Sequence, residues 1–469
     1  MQLHDLTALE QAAAIRRREV SSVELVEHFA ARVEALDDRV GAFVTRTLDT
    51  AREQARGADA AVAAGDELPP LHGIPTAVKD LNLTEGVPTQ FGSRVFAGFV
   101  PPLSDVTVTR LRAAGTISLG KTNTPEFGLP CYTETAIAPP ARTPWDTTRS
   151  AGGSSGGAGA AVAAVLVPFA QGSDGGGSIR IPASVCGLFG LKPARGRISN
   201  GPLVGDLTGL PTNGALTRTV ADGAAVLDAL AGPSLGDPHW APPPAQTFLS
   251  AVGEDPGRLR IGRYCTPAVP EAQVHPECLA AYEAASLLLE ELGHEVVDVE
   301  RPFGPEALPL FEVLWSASAA NMPVDPAREH ELLPLTRWLR ERGRATTAVQ
   351  FLRAQSALQA GTRAAVSATA HCDAVLTPTL AGLPAPIGWF GEAGGPRAEF
   401  DRMAAWTPFT AVYNTTGQPA ASLPLHWTPD GLPVGVMLVG RPADELTLFR
   451  LSAQLEQARP WRDRHPELW

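Results

Sequence analysis

Lysine is nearly absent from this chain. Of the 38 basic residues in 469 only three are lysine, Lys79, Lys121 and Lys192; the rest are arginine. A coding bias accounts for most such exchange, because a surface lysine is readily replaced by arginine. A position that needs an amine able to lose its proton is not, since guanidinium stays charged. The three lysines are therefore a short list of places to look for chemistry. Cysteine is also scarce. The five cysteines (131, 186, 265, 278 and 372) are scattered without a C-x-x-C. They exclude a disulfide scaffold and read as reduced thiols in a cytoplasmic protein. The ten histidines form no H-E-x-x-H or other ligand spacing, so neither a metal nor another cofactor is expected. The longest apolar run, 158–170, contains Pro168 and is too short to span a bilayer. The opening MQLHDLTALEQAAAIRRREVSS has no apolar core behind a basic stretch, so no secretory leader is expected. A net charge of −12 argues against a nucleic-acid surface.

What is present is the composition of a globular chain with a sizeable core: 44% hydrophobic and 19% charged. Glycine (45) and proline (43) together supply about a fifth of it. The first 65 residues read as helical, with Thr7/Glu10 and Ser21/Glu24 as capping boxes. Strands and helices then alternate. Strands are expected at 74–78, 116–119, 166–171, 259–264 and 295–299, and helices at 106–114, 156–165, 219–230 and 276–292. This pattern predicts an α/β fold, with a sheet sandwiched by helices. From about 304 to 370 the pattern is helical and reads as an insertion or lid within one domain spanning 1–469. Strand signals return at 374–377, 420–423 and 433–438. The Gly/Pro-rich stretch 382–397 is expected to be a mobile loop.

Two motifs match famous patterns in the wrong setting. GTISLGKT (115–122) fits the phosphate-loop spelling, but a helix precedes it and β-branched residues fill its middle. GSSGG (153–157) fits the nucleophile-elbow spelling without a preceding strand, and neither His426 nor His465 stands in a setting that makes it the base.

Residues 152–190 hold 11 of the 45 glycines, interleaved with an apolar helix and a strand as no flexible linker would be. Small residues at 158–164 suit close packing. Asp174-Gly175-Gly176-Gly177-Ser178 does not reduce to packing. Consecutive glycines after a strand let successive N–H groups line one concavity, a cradle for an oxyanion, with a serine at its end. A nucleophilic serine needs a base. Lys79 closes an apolar strand, where burial would lower its pKa. Its alternative reading is a structural lysine paired with Asp80, and the residues alone leave both open.

The ordered set of motifs resembles the amidase signature family. It comprises LHGIPTAVKD (71–80), LGKTNTPEFG (119–128), RTPWDTTRSAGGSSGG (142–157), QGSDGGGSIRIPASVCGLFGLKPARGRIS (171–199), TRTVADGAAVLDALAG (217–232), ELGHEV (291–296), DAVLTPTLAGLPAPIG (373–388) and NTTGQPAASLPLHWTPDGLPVGVMLVGRP (414–442). The wording of SDGGGSIRIPAS is similar to the branch with 6-aminohexanoate cyclic dimer hydrolases. The resemblance implies an α/β/α sandwich around a large mixed, twisted sheet, and an amidase working through an acyl-enzyme. It places the family's lysine on Lys79, its cis-peptide serine on Ser154, its nucleophile on Ser178 and a supporting hydroxyl on Ser155. The oxyanion hole falls on the N–H groups of Gly175, Gly176, Gly177 and Ser178. The family usually has Thr, Ile or Ala where Gly175 stands, so a roomier loop is expected. Asp174 and Arg180 read as scaffold, and Lys121 and Lys192 as structural. Leu129, Cys131 and Tyr132 are candidate substrate contacts. Trp315, Trp389, Phe390 and Trp406 are candidates for a lid over the pocket, and Trp315 and Trp389 are also candidate substrate contacts. The expected substrate is a small amide, carbamate, ester or nylon-like oligomer, and the expected assembly a monomer or homodimer. The alternatives are the ammonia-producing subunit of a tRNA-dependent amidotransferase and a P-loop nucleotide binder.

Overall fold

The computed structural model describes residues 2–203 and 207–469. Met1 and residues 204–206 of the expected 1–469 domain lie outside the described residues. Both capping boxes form, with Thr7 and Ser21 accepting from the N–H groups of Glu10 and Glu24. They start helices Ala8–Arg16 and Ser22–Val40. The expectation of an all-helical beginning fails at Phe43–Arg46, which forms strand β1. These four residues are too short to show a period.

Ten further strands follow among the described residues: β2 (Pro75–Lys79), β3 (Ile117–Thr122), β4 (Phe169–Asp174), β5 (Phe189–Lys192), β6 (Thr212–Thr217), β7 (Arg260–Arg263), β8 (Glu295–Asp298), β9 (Ala374–Pro378), β10 (Ala420–Trp427) and β11 (Pro433–Gly440). They build a mixed sheet in the order β4-β6-β5-β10-β11-β9-β7-β8 and a small one in the order β1-β3-β2. In the large sheet the first five neighbour pairs are antiparallel, and β9-β7 and β7-β8 are parallel. The fold is thus α/β around a large mixed sheet. β11 is buried along its whole length, which explains its unbroken apolar reading, PVGVMLVG. Helices Arg180–Cys186, Pro276–Glu291 and Glu445–Ala458 pack against it. β5 and β6 were not legible beforehand, because FGLK and TNGALT are short and carry glycine in place of a β-branched run.

The small sheet matters because β2 lies against β4. Thr76 Oγ1 donates to the Phe169 carbonyl, 3.1 Å, and the Lys79 N–H donates to Gln171 Oε1, 2.9 Å. Two strands therefore end together, one in Lys79 and the other in Asp174. Helix Gly156–Ala163 begins at the same point, with Ser154 and Ser155 just ahead of it.

The region expected to be a lid forms helices Ala307–Asn321, Pro334–Ala345 and Ala348–Ala368. The stretch 382–397 is not a loose loop. Phe390 is completely buried and stacks on Tyr132 with centroids 4.6 Å apart. No helix among the described residues is long and apolar enough to cross a membrane.

Candidate active site

Lys79 is completely buried. Its Nζ donates to Ser154 Oγ at 2.8 Å, to Ser173 Oγ at 3.0 Å and to the Ser173 carbonyl at 3.4 Å. No carboxylate among the described residues bonds to it. The reading that paired it with Asp80 is not what the fold does, because Asp80 faces Lys121 at 3.8 Å. Burial lowers the Lys79 amine to about 7, opposed only by the charge of Asp174. Ser173 is a site residue that the sequence reading passed over; its place one step before Asp174 in β4 was the available signal.

The Gly153–Ser154 peptide is cis. Thr124 Oγ1 donates to the Ser154 carbonyl, 2.9 Å. Ser155 supports the same turn: its N–H donates to the Ser178 carbonyl, 3.2 Å, and its hydroxyl to the Ser173 carbonyl, 3.1 Å. Ser178 Oγ bonds to no side chain among the described residues and faces an open cleft.

The glycine loop is held from beneath by Asp174. Its carboxylate accepts from the N–H groups of Gly177 and Ile179, from the Arg180 guanidinium and from Asn414 Nδ2, all at 2.8–3.1 Å. Burial alone would raise this carboxyl, but Arg180 and Asn414 hold it well below the usual carboxylate range. Thr410 Oγ1 donates to the Gly176 carbonyl, 2.6 Å, fixing that peptide plane. One member of the expected oxyanion hole is therefore already engaged. The Gly177 N–H points down to Asp174 at 2.8 Å, whereas those of Gly175, Gly176 and Ser178 meet no acceptor among the described residues. Thr410 and Asn414 were also not anticipated as parts of the site, although Asn414 opens one of the motifs that carry the resemblance.

The cleft encloses about 870 Å³ including its mouth, and Leu129, Cys131, Gly176, Ser178 and Trp315 line it. No lining residue among the described residues is an acid, a base or a histidine. Burial pushes the Cys131 thiol up, keeping it protonated. Two expected contacts fall elsewhere. Tyr132 turns its hydroxyl to Glu399 and its ring to Phe390. Trp389 lies under the Arg402 guanidinium, 4.7 Å from its ring centroid. Tyr132 is drawn off by partners distant in sequence, Trp389 by an arginine 13 residues on. Phe390 and Trp406 are likewise packed in the core. Gly175 does not widen the loop as expected, because the Trp315 ring occupies the space beside it.

Neither decoy survives the geometry. Lys121 in GTISLGKT is buried on β3, donating to the Asn82 carbonyl at 2.5 Å and to Thr89 Oγ1 at 2.9 Å. His426 pairs with Glu277 and His465 packs tilted against Trp469, and neither bonds to a serine of the site.

A profile described as Amidase matches residues 24–449. The chain belongs to the amidase signature family. Its members hydrolyse carbon–nitrogen bonds of amides, so the chain is a hydrolase of that class. It is 37% identical to the 6-aminohexanoate-cyclic-dimer hydrolase of Paenarthrobacter ureafaciens, over 98% of this chain and 96% of that one. It is also 37% identical to one subunit of the glutamyl-tRNA(Gln) amidotransferase of Moorella thermoacetica, over 100% and 99%. A solved 6-aminohexanoate cyclic dimer hydrolase with bound substrate superposes with a TM-score of 0.91 at 33% identity, covering both chains completely.

Proposed function

We propose that this amidase works alone on small uncharged amides, with Ser178 as nucleophile, Ser154 as relay and Lys79 as base. The observation that carries the reading is the buried Lys79 amine, held to about 7 and bonded to Ser154 Oγ at 2.8 Å. A neutral amine in that place takes the proton of Ser154, and Ser154 takes that of Ser178. The Ser178–Ser154 bond closes when substrate is bound. Ser178 Oγ attacks the amide carbonyl, and the N–H groups of Gly175, Gly176 and Ser178 receive the oxyanion. Each such donor contributes about 3–4 kcal/mol to the transition state. The proton returns along the same path to the leaving nitrogen, the C–N bond breaks and an ester remains on Ser178. Water then adds by the reverse route, releasing the acid and restoring the serine.

The uncharged cleft supports the substrate class. A glutamine substrate brings an ammonium and a carboxylate that no lining residue would pair. This favours the standalone enzyme over an amidotransferase component. Carbamates and cyclic nylon-like amides, which carry neither charge, satisfy the same lining. Of the three helices between 307 and 368, Ala307–Asn321 lines the cleft and serves as its cover. The net charge of −12 supports a protein without a nucleic-acid partner. We assign it to the cytoplasm as a monomer or homodimer.

The test is a serine-directed covalent probe followed by peptide mapping, alongside hydrolysis of neutral anilides, carbamates and glutamine. The modified residue should be Ser178, and glutamine should be the poorest substrate. Labelling at another serine, or preferred turnover of glutamine, refutes the reading.

A further inference from the structure

The three glycines of the loop are glycine for different reasons. Gly177 has φ +132°, and a Cβ there would stand 2.4 Å from Thr410 Oγ1. Backbone and neighbour both demand glycine. Gly176 would place a Cβ 3.6 Å from Phe311 Cζ, an ordinary contact. Gly175 lies outside the left-handed region, so its backbone would accept a side chain. What crowds it is Trp315: a Cβ would be 3.2 Å from both Cη2 and Cζ3 of the indole.

Trp315 and Phe311 stand one turn apart on helix Ala307–Asn321 and stack with centroids 5.3 Å apart at 22°. Both line the cleft with Ser178. The helix is tied down between them. Glu312 pairs with Arg342 at 2.6 Å and with Arg397 at 3.1 Å, from two other helices. The indole is therefore a fixed wall, with one edge against the oxyanion loop and the rest of it bordering the substrate space.

We propose that Trp315 sets the size of the amides this enzyme accepts, and that Gly175 is glycine to let the ring sit there. The proposal rests on Ser178 being the nucleophile. Its consequence is a coupled pair of substitutions with opposite signs. Trp315→Ala empties the wall and favours longer substrates. Gly175→Ala pushes the ring a few tenths of an ångström into the cleft and favours shorter ones. With the ring gone, the added methyl has nothing to push.

The experiment needs no natural substrate. Methyl and octyl fluorophosphonates react with a serine whose Oγ bonds to phosphorus as fluoride leaves, and mass spectrometry reads the rate and the site. The octyl-over-methyl rate ratio should rise about tenfold in Trp315→Ala and fall about threefold in Gly175→Ala. The double variant should match Trp315→Ala, a clear departure from additivity. Trp315→Phe, which keeps a flat ring for the helix to pack on, should lie between wild type and Trp315→Ala. A ratio unmoved by Trp315→Ala, or additive effects in the double variant, overturns the proposal while Ser178 remains labelled. Absence of label on Ser178 in the wild-type chain instead overturns the reading on which it rests.

Discussion

Lys79 and Lys121 stand on adjacent strands, in a register that sets Val78 against Lys121 and Lys79 against Thr122. Both amines are cut off from water, and burial lowers both, Lys79 to about 7 and Lys121 to about 8. Their neighbours differ. Lys79 has two serine hydroxyls, one of them on Ser154 beside the cleft. Lys121 has Asp80 at 3.8 Å and a cage of backbone and threonine oxygens. Lys192 makes the third case. Burial also takes it to about 7, but among the described residues its Nζ donates only to the Pro193 carbonyl. A lowered amine is thus common to all three lysines, and a hydroxyl leading to the cleft distinguishes one. Burial frees the proton, and the neighbouring group determines whether anything uses the freed site.

The sharpest way to break this contrast is to remove the groups on the proposed proton path. Ser178→Ala should lower kcat by about 10⁴-fold or more, with an unchanged circular dichroism melt. Lys79→Ala should fall in the same range. Lys79→Arg should fail as well, because guanidinium accepts no proton at neutral pH. A normal rate with arginine would mean that position 79 needs only positive charge.

The other side of the contrast predicts a stability effect. Lys121→Met leaves the buried Asp80 carboxylate without its cation and should cost about 3–5 kcal/mol in denaturant unfolding. The enzyme that remains folded should keep its kcat/KM within a few-fold. A collapse of activity at unchanged stability would put Lys121 in the chemistry and erase the distinction.

Smaller still is the effect expected at Tyr132. Its hydroxyl serves Glu399 rather than the cleft. Tyr132→Phe should lower stability by about 1–2 kcal/mol, the cost of a buried acceptor left unpaired. Steady-state kinetics should show kcat/KM within twofold of wild type.

The residues that these changes probe were unequally legible in the sequence. Lys79 ends an apolar strand, Ser154 and Ser178 stand in glycine-rich turns, and the fold bonds the Lys79 amine to Ser154 Oγ and the Ser155 N–H to the Ser178 carbonyl. Local chemistry forces those motifs: tight turns and a close approach of backbones leave few sequences that serve. Helix Arg180–Cys186 was hidden by Pro182, which is tolerated because it lies in the first turn. The cleft wall was the least legible part. Leu129 and Cys131 follow a motif and do line the cleft, but Tyr132, next in sequence, turns away to Phe390 and Glu399, more than 250 residues on. Trp315 and Trp389 looked alike as isolated tryptophans in divergent regions. Long-range packing sent Trp315 against the oxyanion loop, and Arg402, 13 residues on, drew Trp389 beneath its guanidinium. Ser173, Thr410 and Asn414 act through hydrogen bonds to backbone or to a buried charge, and no spacing rule marks them.

The central claim, that a neutral Lys79 starts the reaction, is tested most directly by the pH dependence of kcat/KM on a neutral amide between pH 5.5 and 9. A lowered amine is neutral above its pKa. The rate should therefore rise with pH through a single limb centred near 7 and level off above it. Below the midpoint it should fall tenfold per pH unit. A rate that is flat across pH 7, or that falls as pH rises through it, would contradict the assignment of Lys79 as the base.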